Sequence, residues 1–344
     1  VYEHCLRALR RAATKGDHGL PLIGIGDWND GMNRVGIEGK GESVWMGWFL
    51  TTIMRSFAGY ARDRGHAGVW EWLETTANEY VAAVEDTSWD GEWYRRAYFD
   101  DGTPLGSHAN DECKIDSLAQ TWGVISGAAD PERARTAMSS LERHLVDNHH
   151  GIIKLLTPAF DKTPNDPGYI KGYLPGVREN GAQYTHAALW VVLATAMMGN
   201  DERALALWQM INPLSHTGDA TGVATYKVEP YVVAADVYTA EGHVGRGGWT
   251  WYTGSASWMY RVALEAILGF RKTGDTLRLE PCIPSGWPGF TIEYRYGASR
   301  YTIEVKVSAG AAGVTVDGRR IEGDAIPLVD DGHGHSVLVG VRQS

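Results

Sequence analysis

The 344-residue chain carries 42 acidic against 32 basic groups, a formal charge of −10 at pH 7, which with no Lys/Arg block argues against binding to nucleic acid. Its length suffices for a large domain, or a large and a small one, around a substantial core. Three widely spaced cysteines, Cys5, Cys113 and Cys282, match neither a disulfide framework nor a cysteine zinc site and point to a reducing compartment.

The opening stretch "VYEHCLRALRRAATKGD" reads as an amphipathic helix rather than a signal peptide, entered at once as in a chain that starts partway through a larger protein. Over the first 270 residues the pattern is helical, with long glycine-rich connections. Residues 1–14 predict one helix, about 42–64 a second and about 68–85 a third. "IDSLAQTWGVISG" predicts a fourth, and "DPERARTAMSSLERHLVD" a fifth, with Asp130 placed to cap it and Pro131 in its first turn. "QYTHAALWVVLATAMMG" and "DERALALWQMIN" form a closely spaced pair, and "TGSASWMYRVALEAILGF" is the last long helix. No stretch approaches the ~18 continuous apolar residues of a membrane span. After about Gly274 the pattern changes to short strands, "TLRLEPCI", "GFTIEYRYG", "SRYTIEVKVS", "GVTVDG" and "HSVLVGV", separated by Gly, Asp and Pro turns. A small antiparallel sheet is expected there.

Fourteen Trp and sixteen Tyr against six Phe favour rings with a polar handle, which suit either a sugar site or a Trp-rich helical core. "GIGDWNDGMN" (24–33) is a loop, since glycines at 24, 26 and 31 disfavour a regular helix. Its carboxylates, Asp27 and Asp30, admit two readings. One is an acid beside the apolar wall of Trp28; the other is an Asx turn in which Asp27 and Asn29 bond their own backbone.

"PGVRENGAQYTHAALW" (175–190) places Arg178, Glu179 and Asn180 on a Gly-bounded loop, with Tyr184 and His186 at a helix start. Orphan backbone donors there, together with His186, suit an oxyanion; an ordinary capping histidine is the alternative. "GHVGRGGWTWYTGSASWMYR" (242–261) sets Thr253, Gly254 and Ser255 just before a helix, which is either a phosphate cradle or simple N-capping. It is neither a Walker motif nor a dinucleotide fingerprint. "EWYRRAYFDDGTPLGS" (92–107) adds Arg95, Arg96, Asp100 and Asp101 beside rings, and Asp116 lies at a helix start. These are substrate contacts or solvated turns. The twelve histidines contain no HExxH, so no metal is expected.

Taken together, "GDWNDGMNRVG", "GKGESVWMGWFL", "PGVRENGAQYTHAALW", "VEPYVVAADVY" and "GRGGWTWYTGSASWMYR" resemble the inverting glycoside phosphorylases of family GH94, and their wording is most similar to the family's β-1,2-glucan synthase members. The resemblance implies a mostly α fold: part of an (α/α)6 toroid over residues 1–273, followed by a small antiparallel β domain over 274–344. It places the general acid on Asp30. Sugar contacts are expected from Asp27, Trp28, Arg95, Arg178, Glu179 and Tyr184, and phosphate contacts from His186, Thr253 and Gly254.

Inorganic phosphate is then the co-substrate, with no cofactor and no metal, and a β-linked gluco-oligosaccharide or glucan is the partner. Full family members carry further upstream residues, including the first part of the toroid, so the chain is expected to be a fragment of a parent that forms a homodimer. A cytoplasmic location is expected for this region, in a parent anchored in the inner membrane. An inverting hydrolase with Glu179 as its base, and an inactive carbohydrate-binding remnant, are the competing expectations.

Overall fold

A computed structural model describes residues 1–307 and 313–341, with the backbone alone at Thr253. By internal contacts the chain forms two units, the first made of residues 1–194 and 210–256 and the second of 195–209 and 257–344.

The first unit is helical with long connections. Helices α1 (Tyr2–Ala12), α2 (Val44–Asp63) and α3 (Ala67–Thr87) enclose a core of Leu9, Leu50, Met54, Leu73, Ala77 and Tyr80. α2 starts where the Ser43 hydroxyl accepts the Met46 N–H at 3.0 Å. It packs closely on α3 at Gly47, where a Cβ would stand 2.8 Å from Val84.

Helix α4 (Ser117–Ile125) is capped by Asp116, and α5 (Pro131–Leu145) by Asp130, whose Oδ1 accepts the N–H groups of Glu132 and Arg133 at 3.0 Å each. Pro131 occupies the first turn, where its missing N–H costs nothing. Helix α6 (Thr185–Met197) follows a two-residue strand, Gln183–Tyr184, that pairs with Asp236–Val237. Helix α7 (Asp201–Met210) comes next, then two short helices that the periodicity does not announce, α8 (Pro213–His216) and α9 (Ala220–Tyr226).

The connections obtain their hydrogen bonds from carboxylates rather than from long ladders. Asp100 accepts the N–H groups of Glu38, Lys40 and Gly41 at 2.8, 2.8 and 2.9 Å, and Glu112 accepts those of Asp161, Lys162 and Thr163 at 2.8, 2.7 and 2.9 Å. Such donors would otherwise need water or a strand partner.

Helix α10 (Thr253–Arg261) is α-helical only through Arg261; the helix expected over 253–270 continues as a π-helical turn, Val262–Ile267. The second unit then builds a three-stranded sheet from Phe270–Thr273, Thr276–Leu279 and Ile326–Pro327. A five-stranded sheet runs in the order Gly289–Tyr296, Ser299–Val307, Gly334–Val341, Gly313–Val316, Arg319–Arg320. Alternation in "SRYTIEVKV" buries Tyr301, Ile303 and Val305 in a core with Phe270, Leu277 and Val337, and turns Arg300, Thr302 and Glu304 outward.

The expectation of a purely antiparallel sheet is corrected at one pair. Ser299–Val307 and Gly334–Val341 run parallel, with Tyr301 opposite His335 and Ile303 opposite Val337. Parallel neighbours need a crossover, and the residues between them supply one that includes Gly313–Val316 and Arg319–Arg320.

The Asp130 cap yields a direct expectation. Asp130→Ala strips acceptors from two helical donors and lowers stability by about 1 kcal/mol, read as a lower urea midpoint with an unchanged slope.

Candidate active site

The loop at 24–33 folds back on itself, and glycine is required where it does. Gly26 has φ +125°, and a Cβ there would lie 3.1 Å from the Asp30 Cα. Two successive Asx turns follow: Asp27 Oδ1 accepts the Asn29 N–H at 3.0 Å, and Asn29 Oδ1 accepts the Gly31 N–H at 3.1 Å. Asp30 then opens a short 3-10 turn, Asp30–Met32.

This geometry sends the two carboxylates to opposite environments. The Asp27 side chain is fully buried and takes both arms of the Arg96 guanidinium at 2.7 Å each, plus the Ser43 hydroxyl at 2.6 Å. Burial alone would raise its pKa; Arg96 and the accepted hydrogen bonds outweigh that and hold the carboxyl below its ordinary range. Asp30 is exposed and lines a cleft of about 280 Å³. Burial, together with the neighbouring Asp30 carboxylate, pushes the Tyr169 hydroxyl pKa up.

Trp28 forms one wall of the cleft, edge-on to Tyr184 at 5.6 Å and to His186 at 5.3 Å between ring centroids. Behind it stand Trp190, Trp122 and Trp45, each at most 6% exposed and in ring contact with one another. The tryptophan bias is therefore partly core and partly cleft, with Trp28 joining the two.

Glu179 and Tyr184 line the cleft from the 175–190 segment. Burial pushes the Glu179 carboxyl up, opposed by Arg178, whose Nε lies 3.4 Å from it, and by the Tyr184 hydroxyl. Arg178 is held on three sides. Its own N–H donates to Asp236 at 3.0 Å, its φ is +53°, and its guanidinium stacks over Tyr173 and Trp249. Asp236 also accepts the Trp249 N–H at 3.1 Å, tying the two glycine-rich segments together, and Gly248 must be glycine because a Cβ there would lie 2.2 Å from that carboxylate.

Opposite stands the first turn of α10, where Gly254 and Ser255 line the cleft together with His186 and Tyr252. A Cβ on Gly254 would approach the His186 ring nitrogen at 3.6 Å. Burial lowers the His186 pKa to about 4, so the imidazole is neutral at pH 7. A helix N-terminus, whose first backbone N–H groups have no partner within the helix, suits an anion when it stands beside a neutral imidazole. Thr253 begins the helix, and its side chain lies outside the described residues.

Asp30, Trp28, Glu179, Tyr184, His186 and Gly254 thus meet in one cleft, and Arg178 braces it through Glu179. Two expected sugar contacts are placed elsewhere. The Asp27 side chain has no exposed surface, its carboxylate being occupied by Arg96 and Ser43. Arg95 is held by Asp90 at 2.8 Å, by the Thr87 carbonyl and by the Tyr98 hydroxyl, and does not line the cleft. Ser255, named with Thr253 and Gly254 as a possible phosphate cradle, lines the cleft, while Tyr169, Tyr252 and Asp236 stand at or behind the site without having been singled out in the sequence.

The Glycosyl hydrolase 94 superfamily catalytic-domain model matches residues 1–269. The cyclic beta-(1,2)-glucan synthase NdvB of Rhizobium meliloti is 53% identical over 310 residues, covering 89% of this chain and 11% of that protein. The solabiose phosphorylase of Paenibacillus borealis is 33% identical over 98% of this chain and 44% of its own length, and an N,N'-diacetylchitobiose phosphorylase of Vibrio furnissii is 31% identical over 98% and 42%. The chain therefore spans less than half the length of each of these relatives. With its family matched over most of its length and its relatives at up to 53% identity, the chain belongs to the glycosyl hydrolase 94 superfamily.

Proposed function

We propose that this chain carries the acid and the phosphate site of an inverting β-glucan phosphorylase. The observation that carries the reading is the cleft itself: the exposed Asp30 carboxyl shares it with the buried Glu179, a neutral imidazole and a helix N-terminus, the last two suited to an anion. An inverting hydrolase needs a second carboxylate to activate water, whereas phosphate is already a nucleophile and needs none.

In the reaction, a phosphate oxygen bonds to the anomeric carbon as the bond from that carbon to the bridging oxygen breaks. The Asp30 proton passes to the departing oxygen, and α-glucose 1-phosphate and a shortened glucan result. Trp28 offers the sugar an apolar face, while Glu179, set by Arg178 and Tyr184, accepts hydrogen bonds from its hydroxyls. His186 and the first turn of α10, Gly254 and Thr253 included, hold the phosphate. β-1,2-linked glucan is the substrate class, in keeping with the 53% identity to a β-(1,2)-glucan synthase. The remaining helices of an (α/α)6 toroid come from an upstream part of the parent, a homodimer anchored in the inner membrane with this region in the cytoplasm.

Full-length protein given β-1,2-glucooligosaccharides releases glucose 1-phosphate only when inorganic phosphate is present. Free sugar formed without phosphate would instead assign hydrolysis, with Glu179 as the base. Asp30→Asn lowers turnover of unactivated glucan by about 10²–10⁴-fold, and near-normal turnover would remove Asp30 from the acid role.

His186 gives a pH signature. Its folded pKa, about 4, lies below the ordinary 6.5, so between those values the unfolded chain binds more protons and stability falls on acidification. Allowing for partial solvent screening, the wild type loses about 1 kcal/mol more than His186→Asn between pH 7 and pH 5. Parallel urea midpoints at the two pH values measure the difference; equal losses would place His186 in a solvated setting.

A further inference from the structure

We propose that Arg96 is the positioning residue for the Asp30 acid, acting through Asp27; this rests on the reading of Asp30 given above. Arg96 has no exposed surface and fixes Asp27 by a two-pronged contact, Nη1 to Oδ2 and Nη2 to Oδ1, each 2.7 Å. A planar fork of this kind sets the orientation of the carboxylate as well as its distance.

The arginine is itself immobile. Its N–H donates to the Leu105 carbonyl at 2.8 Å, and its carbonyl accepts the Val44 N–H at 3.2 Å at the start of α2. Its Nε lies 3.5 Å from Asp116, whose other oxygen caps α4 by accepting the Leu118 N–H at 2.7 Å. Arg96 therefore refers the acid loop to the starts of two helices, to α4 through its guanidinium and to α2 through its backbone carbonyl.

From Asp27 the constraint reaches Asp30 in two steps. Asp27 accepts the Asn29 N–H, and Asn29 accepts the Gly31 N–H, so the Asp30 backbone lies between two fixed hydrogen bonds. The loop is packed closely at this point: a Cβ on Gly31 would stand 3.0 Å from both Ile170 and the Asn29 side chain.

A purely structural need for this cluster is a weaker account. Burying three charged groups costs desolvation, and well-packed apolar side chains commonly support a fold as well or better. What apolar side chains lack is a directional hold on the carboxylate that begins the turn. Arg95, next in sequence but held by Asp90, the Thr87 carbonyl and the Tyr98 hydroxyl, does not touch the loop, which makes it a useful contrast.

The experiment exploits the dependence of acid catalysis on the leaving group. In the full-length protein, Arg96→Lys keeps a charge and loses the fork. The expected result is a fall in kcat of about 10²-fold on β-1,2-glucooligosaccharide with phosphate, with KM changed by less than about threefold. On 2,4-dinitrophenyl β-glucoside, whose phenolate departs unprotonated, kcat falls by less than about threefold. Arg95→Lys, at the neighbouring arginine that is held by Asp90 and lies outside the cleft, leaves the ratio of the two rates at the wild-type value.

Asp30→Asn serves as the reference. If it fails to show the leaving-group pattern, the acid assignment falls and this proposal with it. If it shows the pattern but Arg96→Lys affects both substrates equally, or neither, the positioning role alone is overturned. Should Arg96→Lys give no cooperative melt, Asp27→Asn, nearly identical in shape, takes its place with the same expectation; failure of both to fold assigns the cluster to folding and overturns the proposal.

Discussion

A buried arginine between two carboxylates is the constraint around which the first unit is arranged. Asp27, Arg96 and Asp116 come from a loop, from the edge of a small ladder and from a helix cap, and none has exposed side-chain surface. The single positive charge is taken up by Asp27. Asp116, shielded from water and with a looser contact to Nε, is pushed up to about 6, burial being the main cause. An uneven sharing of this kind gives the loop partner the firmer hold, and the exposed face of the same loop can then carry a reactive group without carrying its support.

The same division of labour recurs around the cleft. Asp236 braces Arg178 and Trp249 from behind while Glu179 faces inward. Trp190 and its neighbours support Trp28 from the core side. Asp100 and Glu112 gather backbone donors of the long connections that border these elements. Each accepts three N–H bonds, and these overcome the upward push of burial to hold both carboxyls below the usual range. A glycine-rich loop system thereby acquires the order that longer strands would otherwise give it.

Legibility in the sequence followed the range of the interactions concerned. Helices α2, α3 and α5 were readable because apolar spacing and caps such as Asp130 are local. The parallel pairing of Ser299–Val307 with Gly334–Val341 was not, because alternation marks a strand without naming its neighbour. The motif 24–33 announced a site, yet which carboxylate faces the cleft is decided by Arg96, 69 positions away from Asp27. Of the two adjacent arginines, Arg95 drew the expectation of sugar contact and Arg96 proved the one that matters to the loop. Beside a strand, successive side chains point to opposite faces, so Arg95 turns out to Asp90 and Arg96 turns in.

The central place of Gly334–Val341 bears on how the second unit is assembled. The hairpin of Gly289–Tyr296 and Ser299–Val307 can zip early from its two-residue turn, but its inner edge stays open until the later strand arrives to separate it from Gly313–Val316. During that interval the unpaired N–H and C=O groups of an apolar-faced strand are available to any neighbouring chain. Closing this non-local contact costs loop entropy that the hairpin does not incur, the consequence of threading this strand through the middle of the sheet.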